Sequence, residues 1–283
     1  MADTKEQCKS CSMSQGGTCT SEACDQPQKA LYGSMNDIKR VVAVMSGKGG
    51  VGKSTVTSLL AVALKNYGYN LGVLDADITG PSIPRAFGVP GGKLQATDFG
   101  IIPPTSESGI KIMSVNLFLP GEDEPVIWRG PLLAGIINQF WSETDWRELD
   151  YLLVDLPPGT GDVPLTVMQS LPVDGIVIVS SPQELVMMVV KKAIKMARKT
   201  QTPILGIVEN MSHAICPHCN EKVELFGHSD LQANAEKLEL SILGTLPWDA
   251  NVLKSMDKGQ IDRYENEDII KIAREIEKNL PAR

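Results

Sequence analysis

The stretch with the most chemistry in it is Gly47-Lys48-Gly49-Gly50-Val51-Gly52-Lys53-Ser54. It satisfies the spacing G-x-x-x-x-G-K-[ST] at every fixed position, the pattern of a phosphate-cradling loop. Glycines let the backbone wrap an anion without Cβ clashes, so several N–H groups can point inward. The N-terminus of a following helix adds its positive end. Lys53 then neutralises the β- and γ-phosphates, and the Ser54 hydroxyl is the expected protein ligand of Mg²⁺. Thr55, in the first helical turn, completes the predicted nucleotide-binding set. The loop predicts a site for a nucleoside triphosphate such as ATP.

Two further groups bear chemistry. Asp75, Asp77 and Asp155 each follow an apolar run, so they fall at strand ends. Carboxylates there lie on the ligand edge of an open α/β sheet. Asp155, followed by Leu156-Pro157-Pro158-Gly159-Thr160-Gly161-Asp162, has the place of a carboxylate that holds Mg²⁺ directly or through water. The glycines after it allow that loop to change shape with the phosphate.

Six cysteines form the last group. Cys8, Cys11, Cys19 and Cys24 occur as C-x2-C-x7-C-x4-C in a segment poor in large aliphatic residues, and metal binding can supply folding energy that such a segment lacks. Four thiolates suit an iron–sulfur cluster or Zn²⁺, and a tail of mobile reactive thiols is the remaining reading. Cys216-Pro217-His218-Cys219 offers two thiolates to one metal. Completion could come from His213, His218 or His228 with zinc, from the N-terminal thiols, or from the same pair of a second chain across a two-fold axis. A C-x-x-C redox pair is the fourth reading, although that motif usually opens a helix in a βαβ unit.

The elements that must position these groups follow from the apolar pattern. Val41–Met45, Leu71–Asp75, Lys111–Val115, Tyr151–Asp155, Gly175–Ser180, Pro203–Glu209 and Ile242–Leu246 read as strands, most of them continuous apolar runs of the buried parallel kind. Helices are expected over 54–67, 132–141, 183–200, 229–238 and 268–280, and a short strand over 221–226. Residues 85–110 read as an excursion rich in turn formers. Trp128-Arg129-Gly130-Pro131 precedes the second helix, and Arg129 reads as a solvated turn residue in preference to a phosphate contact. This alternation predicts an α/β fold with a doubly wound, mostly parallel sheet. Residues 1–34 are a separate cysteine-rich segment, and residues 35–283 the nucleotide-binding domain.

The 283 residues are 42% hydrophobic and 22% charged, with a formal net charge of −7. An acidic balance argues against nucleic acid as a partner. The start of the chain lacks the apolar stretch of a signal peptide, and no apolar run approaches the roughly 20 residues that span a bilayer. Neither a membrane partner nor secretion is expected. A cytoplasmic protein is, in which the cysteines are metal ligands or redox groups rather than disulfides.

The second lysine of the loop, Lys48, together with the D-x-D at Asp75–Asp77, the D-x-P-P-G-T-G-D at 155–162 and the C-P-x-C at 216–219, resembles the deviant Walker A (SIMIBI) P-loop family of MinD, ParA, the nitrogenase iron protein and the Mrp/ApbC-type iron–sulfur carriers. The likeness covers about residues 38–280. It implies a homodimer in which Lys48 reaches the nucleotide of the partner subunit, Asp77 positions or activates the attacking water, and Asn210 hydrogen-bonds the adenine ring. It implies that Cys216 and Cys219 bridge two subunits through a [4Fe–4S] cluster. The N-terminal cysteines resemble a cluster-binding segment of some relatives, with a departure in spacing. The activity implied is ATP hydrolysis coupled to handing a labile cluster to apo iron–sulfur proteins. The alternatives are a MinD/ParA-like positioning switch with a structural metal, and an electron donor like the nitrogenase iron protein. The C-terminal tail carries Glu265, Glu267, Asp268, Glu275 and Glu277 and lacks aromatic residues, so its helix is expected to pack on the sheet rather than bind a membrane.

Overall fold

The computed structural model describes residues 36–77, 82–89, 91, 94–118, 130–182, 184–227 and 229–282. Cys8, Cys11, Cys19, Cys24, the end of the D-x-D segment at 78–81, Trp128, Arg129 and His228 lie outside these residues.

In chain order the elements are β1 (Asp37–Ser46), α1 (Lys53–Asn66), β2 (Leu71–Asp75), α2 (Ile83–Ala86), β3 (Ala96–Thr97), β4 (Gly100–Ile101), β5 (Lys111–Ser114), α3 (Gly130–Glu143), β6 (Glu148–Asp155), α4 (Asp162–Ser170), β7 (Gly175–Ser180), α5 (Glu184–Lys199), β8 (Ile204–Glu209), β9 (Ala214–Ile215), β10 (Lys222–Val223), α6 (Leu231–Leu238), β11 (Ile242–Thr245), α7 (Ala250–Asp257) and α8 (Glu267–Asn279). Seven strands form one sheet in the order β11-β8-β7-β1-β6-β2-β5. Every pairing in it is parallel. The pairs β3–β4 and β9–β10 are separate two-stranded antiparallel hairpins.

The sheet is parallel because its strands are apolar on both faces. Val41 to Met45 are all buried, as are Leu152 to Val154 and Ile176 to Val179. Such strands need helices on both sides, which the alternating chain supplies. From β1 the chain runs outward to β2 and β5, then returns to insert β6 between β1 and β2, and finally crosses to β7, β8 and β11. That return makes Asp155 the neighbour of two strands at once: it is in register with Val44 on one side and Asp75 on the other.

Helix α8 buries Ile269, Ile272, Ala273 and Ile276 and packs on α1 and β11. Its N-cap Asn266 accepts from the backbone N–H of Asp268 and Ile269, satisfying two donors that a helix start otherwise leaves open.

Several elements differ from the sequence reading. β1 begins at Asp37 rather than Val41, because the alternating stretch Asp37–Arg40 also pairs with β6. α4 and α7 form in stretches to which the sequence reading assigned no element, and the strand read over 221–226 is confined to Lys222–Val223. α4 follows directly on Gly161, with Pro164 in its first turns, and α7 is capped by Asp249, whose carboxylate accepts from Asn251 N–H at 2.8 Å.

Candidate nucleotide site and cysteine hairpin

The phosphate loop runs from the end of β1 into α1, across the centre of the ligand edge. Gly50 and Gly52 adopt φ of 83° and 78°, the left-handed region that costs glycine nothing. A Cβ at Gly52 would also collide with the amide nitrogen of Asn210. Both the loop's turn and its close approach to the Asn210 side chain, just past the end of β8, therefore favour glycine there. The base of the loop is tied to the glycine-rich segment after β6, since Gly159 N–H donates to the Ser46 carbonyl at 2.9 Å. Lys48 is exposed on the loop.

Lys53 points inward. Its Nζ lies 2.8 Å from Asp155 Oδ1 and 3.2 Å from Asp77 Oδ2, and its side chain is 5% exposed. Asp155 also accepts from Ser54 Oγ at 2.5 Å and Thr57 Oγ1 at 2.9 Å. Asp75 accepts from Ser114 Oγ and from Asp77 N–H, each at 3.1 Å. Burial pushes the carboxyls of both Asp75 and Asp155 above the usual range. The charge of Asp155 adds to the effect on Asp75, and Lys53 opposes it at both. The cluster thus holds more carboxylate than its one buried ammonium balances. An all-oxygen donor set with surplus negative charge fits a hard divalent cation such as Mg²⁺, with Ser54 and Asp155 as the residues to hold it.

An apolar pocket opens beside the first turn of α1, lined among others by Thr55, Asn210, Met211, Trp248, Tyr264 and Asn266. A flat aromatic group fits such walls with polar ends. Asn210 is 5% exposed and its amide donates to the Val51 carbonyl at 3.0 Å, so it lines the pocket and braces the phosphate loop together. Thr57, Ser114, Tyr264 and Asn266 went unnoticed in the sequence. Their types are common everywhere, and nothing in local spacing marks them. Only the fold gathers them.

Cys216 and Cys219 lie on the β9–β10 hairpin. Cys216 N–H donates to the Glu221 carbonyl and Asn220 N–H returns to the Cys216 carbonyl, both at 2.9 Å, with Asn220 in the left-handed region at φ 59°. Both thiols are free, Cys216 half-buried and Cys219 exposed. The backbone N–H groups of Cys219 and His218, with the Cys219 thiol, lower the Cys216 pKa by favouring its thiolate. The Cys219 thiol donates to Glu221 Oε2 at 3.5 Å, but among the described residues no group of three or more histidines, cysteines and carboxylates is arranged to hold a metal ion. His213 instead places Nδ1 2.9 Å from Ser212 Oγ. The hairpin context, not a helix start, also separates the pair from the usual redox motif. Ile215, Val223, Leu225 and Phe226 are exposed around the thiols, at 42–46%.

A parallel sheet with a phosphate loop at its central strand, a buried lysine and carboxylates at the neighbouring strand ends defines a P-loop nucleoside triphosphatase. The family model ParA, described as NUBPL iron-transfer P-loop NTPase, matches residues 37–281. The chain belongs to this family. An iron–sulfur cluster carrier protein of Clostridium perfringens is 45% identical over 267 residues, covering 92% of each chain. One of Methanocaldococcus jannaschii is 45% identical over 260 residues, covering 92% of this chain and 90% of its own. Among solved structures, a nucleotide-binding protein of Archaeoglobus fulgidus in complex with ADP is 49% identical with a TM-score of 0.73, covering 81% of this chain and 90% of its own. The cell division ATPase MinD of Pyrococcus furiosus superposes with a TM-score of 0.61 at 20% identity, covering 85% of this chain and 99% of its own, a likeness of fold alone. Among the described residues no helix is long and apolar enough to cross a membrane.

Proposed function

We propose that the protein is an ATP-hydrolysing carrier of a [4Fe–4S] cluster, which it holds between two copies of itself and hands to apo iron–sulfur proteins. The observation that carries this reading is the pair of free thiols on a hairpin hung from an ATPase sheet, which among the described residues belong to no group of three or more side chains able to hold a metal ion. A cluster wants four thiolates. The same pair from a second copy completes the set about a two-fold axis, and the exposed apolar rim of the hairpin suits such a contact. The cluster here is cargo. Its thiolates supply affinity, and its exposure permits release.

In the nucleotide site, the backbone of Gly47 to Gly52 cradles the phosphates and Lys53 neutralises them. Ser54 and Asp155 would hold Mg²⁺, which would supply neutralisation of the charge that develops on the phosphates. A γ-phosphate competes with Asp77 for the Lys53 ammonium, and a released Asp77 carboxylate orients the attacking water. Lys48, exposed on the loop, reaches the partner's nucleotide. Thr55 and Asn210 flank the base in the apolar pocket. Residues 1–34 form a separate segment whose Cys8, Cys11, Cys19 and Cys24 hold a second cluster, and residues 35–283 form the ATPase domain.

The test is anaerobic reconstitution with iron and sulfide, followed by iron and sulfide analysis and mass determination in solution, on the wild type and on Cys216→Ser/Cys219→Ser. Loss of one cluster per dimer and of the cluster-dependent dimer in the variant is the expected result. Unchanged cluster content, or zinc without sulfide at this pair, sinks the carrier reading and favours a nucleotide-dependent switch.

A further inference from the structure

The base pocket and the thiol hairpin are not separate parts of the molecule. The chain leaves β8 at Glu209, passes through Asn210 and Met211, and reaches Cys216 within a few residues. Along that path it is bonded to the segment that walls the pocket. Leu246 N–H donates to Glu209 O at 2.9 Å, Ser212 N–H to Leu246 O at 3.0 Å, and Trp248 N–H to His213 O at 2.7 Å. Ala214, the first residue of β9, is bridged in parallel to Trp248. The Ser212 hydroxyl adds a second bond to Leu246 O at 3.0 Å. The pairing of β8 with β11 thus runs past the sheet edge and into the root of the cysteine hairpin.

This path is held from both ends of the nucleotide site. At the phosphate end, Asn210 is bonded to Val51 of the loop and packs where Gly52 has no side chain. At the base end, Trp248 lines the pocket while 41% exposed, so its ring is a wall that a bound base can restrain. Between them Met211 has φ 58°, a left-handed conformation that an unbranched, non-glycine residue adopts rarely and only where surroundings impose it.

From this geometry we infer that Trp248 is a positioning residue that couples nucleotide occupancy to the two thiols: a base seated against its ring fixes the 246–248 segment, and the backbone ladder through His213 and Ala214 carries that restraint to Cys216 and Cys219. The inference rests on the pocket being the base site of the proposed ATPase. Coupling of this kind is a difference in free energy between two arrangements of one element, not a signal along a wire.

The experiment uses full-length, reduced, cluster-free protein. Iodoacetamide labelling of Cys216 and Cys219 is followed by peptide mass spectrometry, which reads each thiol apart from the N-terminal four, with and without saturating MgADP. ADP affinity is measured separately by calorimetry so that each variant is tested fully bound. In the wild type ADP slows labelling of both thiols by about fivefold or more, the lower end of ordinary allosteric coupling. Trp248→Ala, saturated with ADP, loses that difference, and Trp248→Phe, which keeps a ring against the base, retains it. Ser212→Ala, outside the pocket lining, reduces it. ADP bound to the wild type with no change in labelling overturns the inference, as does full protection in ADP-saturated Trp248→Ala. Failure of the wild type to bind ADP at all sinks the nucleotide reading, and this inference with it.

Discussion

Lys53 is the residue on which the site's charge turns. It faces Asp77 and Asp155 within 3.2 Å, and a neutral side chain there leaves carboxylates buried without an ammonium. Lys53→Gln is expected to lower ATP hydrolysis about 100-fold or more, the usual cost of losing one preorganised charge from a phosphoryl-transfer site. A steady-state phosphate-release assay checks this, with circular dichroism to verify the fold. A tenfold loss or less would mean that Lys53 is chiefly structural. The second residue-scale prediction concerns Cys216. Backbone N–H groups of Cys219 and His218 favour its thiolate and hold its pKa below the ordinary thiol value. Since the thiolate is the nucleophile, the labelling rate of Cys216 should rise with pH through a midpoint below the roughly 8.5 of a free cysteine. A midpoint at or above that value would contradict the N–H geometry of the hairpin.

At the scale of elements, α8 decides how firmly the β11 edge is held. Its buried stripe of Ile269, Ile272, Ala273 and Ile276 packs on α1 and β11, and Gly244 in β11 leaves the room that Ile272 fills. Ile272→Ala should cost about 2–5 kcal/mol, because the lost methyl groups leave a cavity that the packed neighbours close only in part. Urea unfolding followed by far-ultraviolet circular dichroism measures it, and a cost below about 1 kcal/mol would mean that the site relaxes freely. This stripe was legible in the sequence, since isoleucines and alanine recur at helical spacing. The four-residue error at the start of β1 has a different origin. Asp37 and Lys39 are polar and exposed, so only the pairing of Asp37 and Ile38 with Glu148 and Leu149 marks this stretch as strand.

For the whole molecule, the proposed division at residue 34 has a direct consequence. The contiguous core of the described residues draws its side chains from Ile38 to Ile276. Removal of residues 1–34 should therefore shift the thermal midpoint of the cluster-free protein by no more than about 2 °C, the scale of about 1 kcal/mol for a domain of this size. Differential scanning calorimetry of the full and shortened chains tests it. A shift of about 10 °C or more would mean that the cysteine-rich segment packs on the ATPase domain.

By itself the sequence determined the local chemistry: a phosphate loop, because its glycines and lysine are contiguous; aspartates at strand ends, because apolar runs precede them; a thiol pair, because two cysteines stand three apart. These features are short-range and survive without coordinates. The parallel α/β sheet was legible for the same reason, since strands buried on both faces must alternate with helices. Only the tertiary structure decided which of these groups meet. The insertion of β6 between β1 and β2 sets Asp155 beside Lys53 and in register with Asp75, and the ladder from Glu209 to Trp248 joins the base pocket to the thiols. Such contacts span tens to more than a hundred residues of chain. They depend on strand order and register, which are set by the packing of the whole core rather than by any local run of residues.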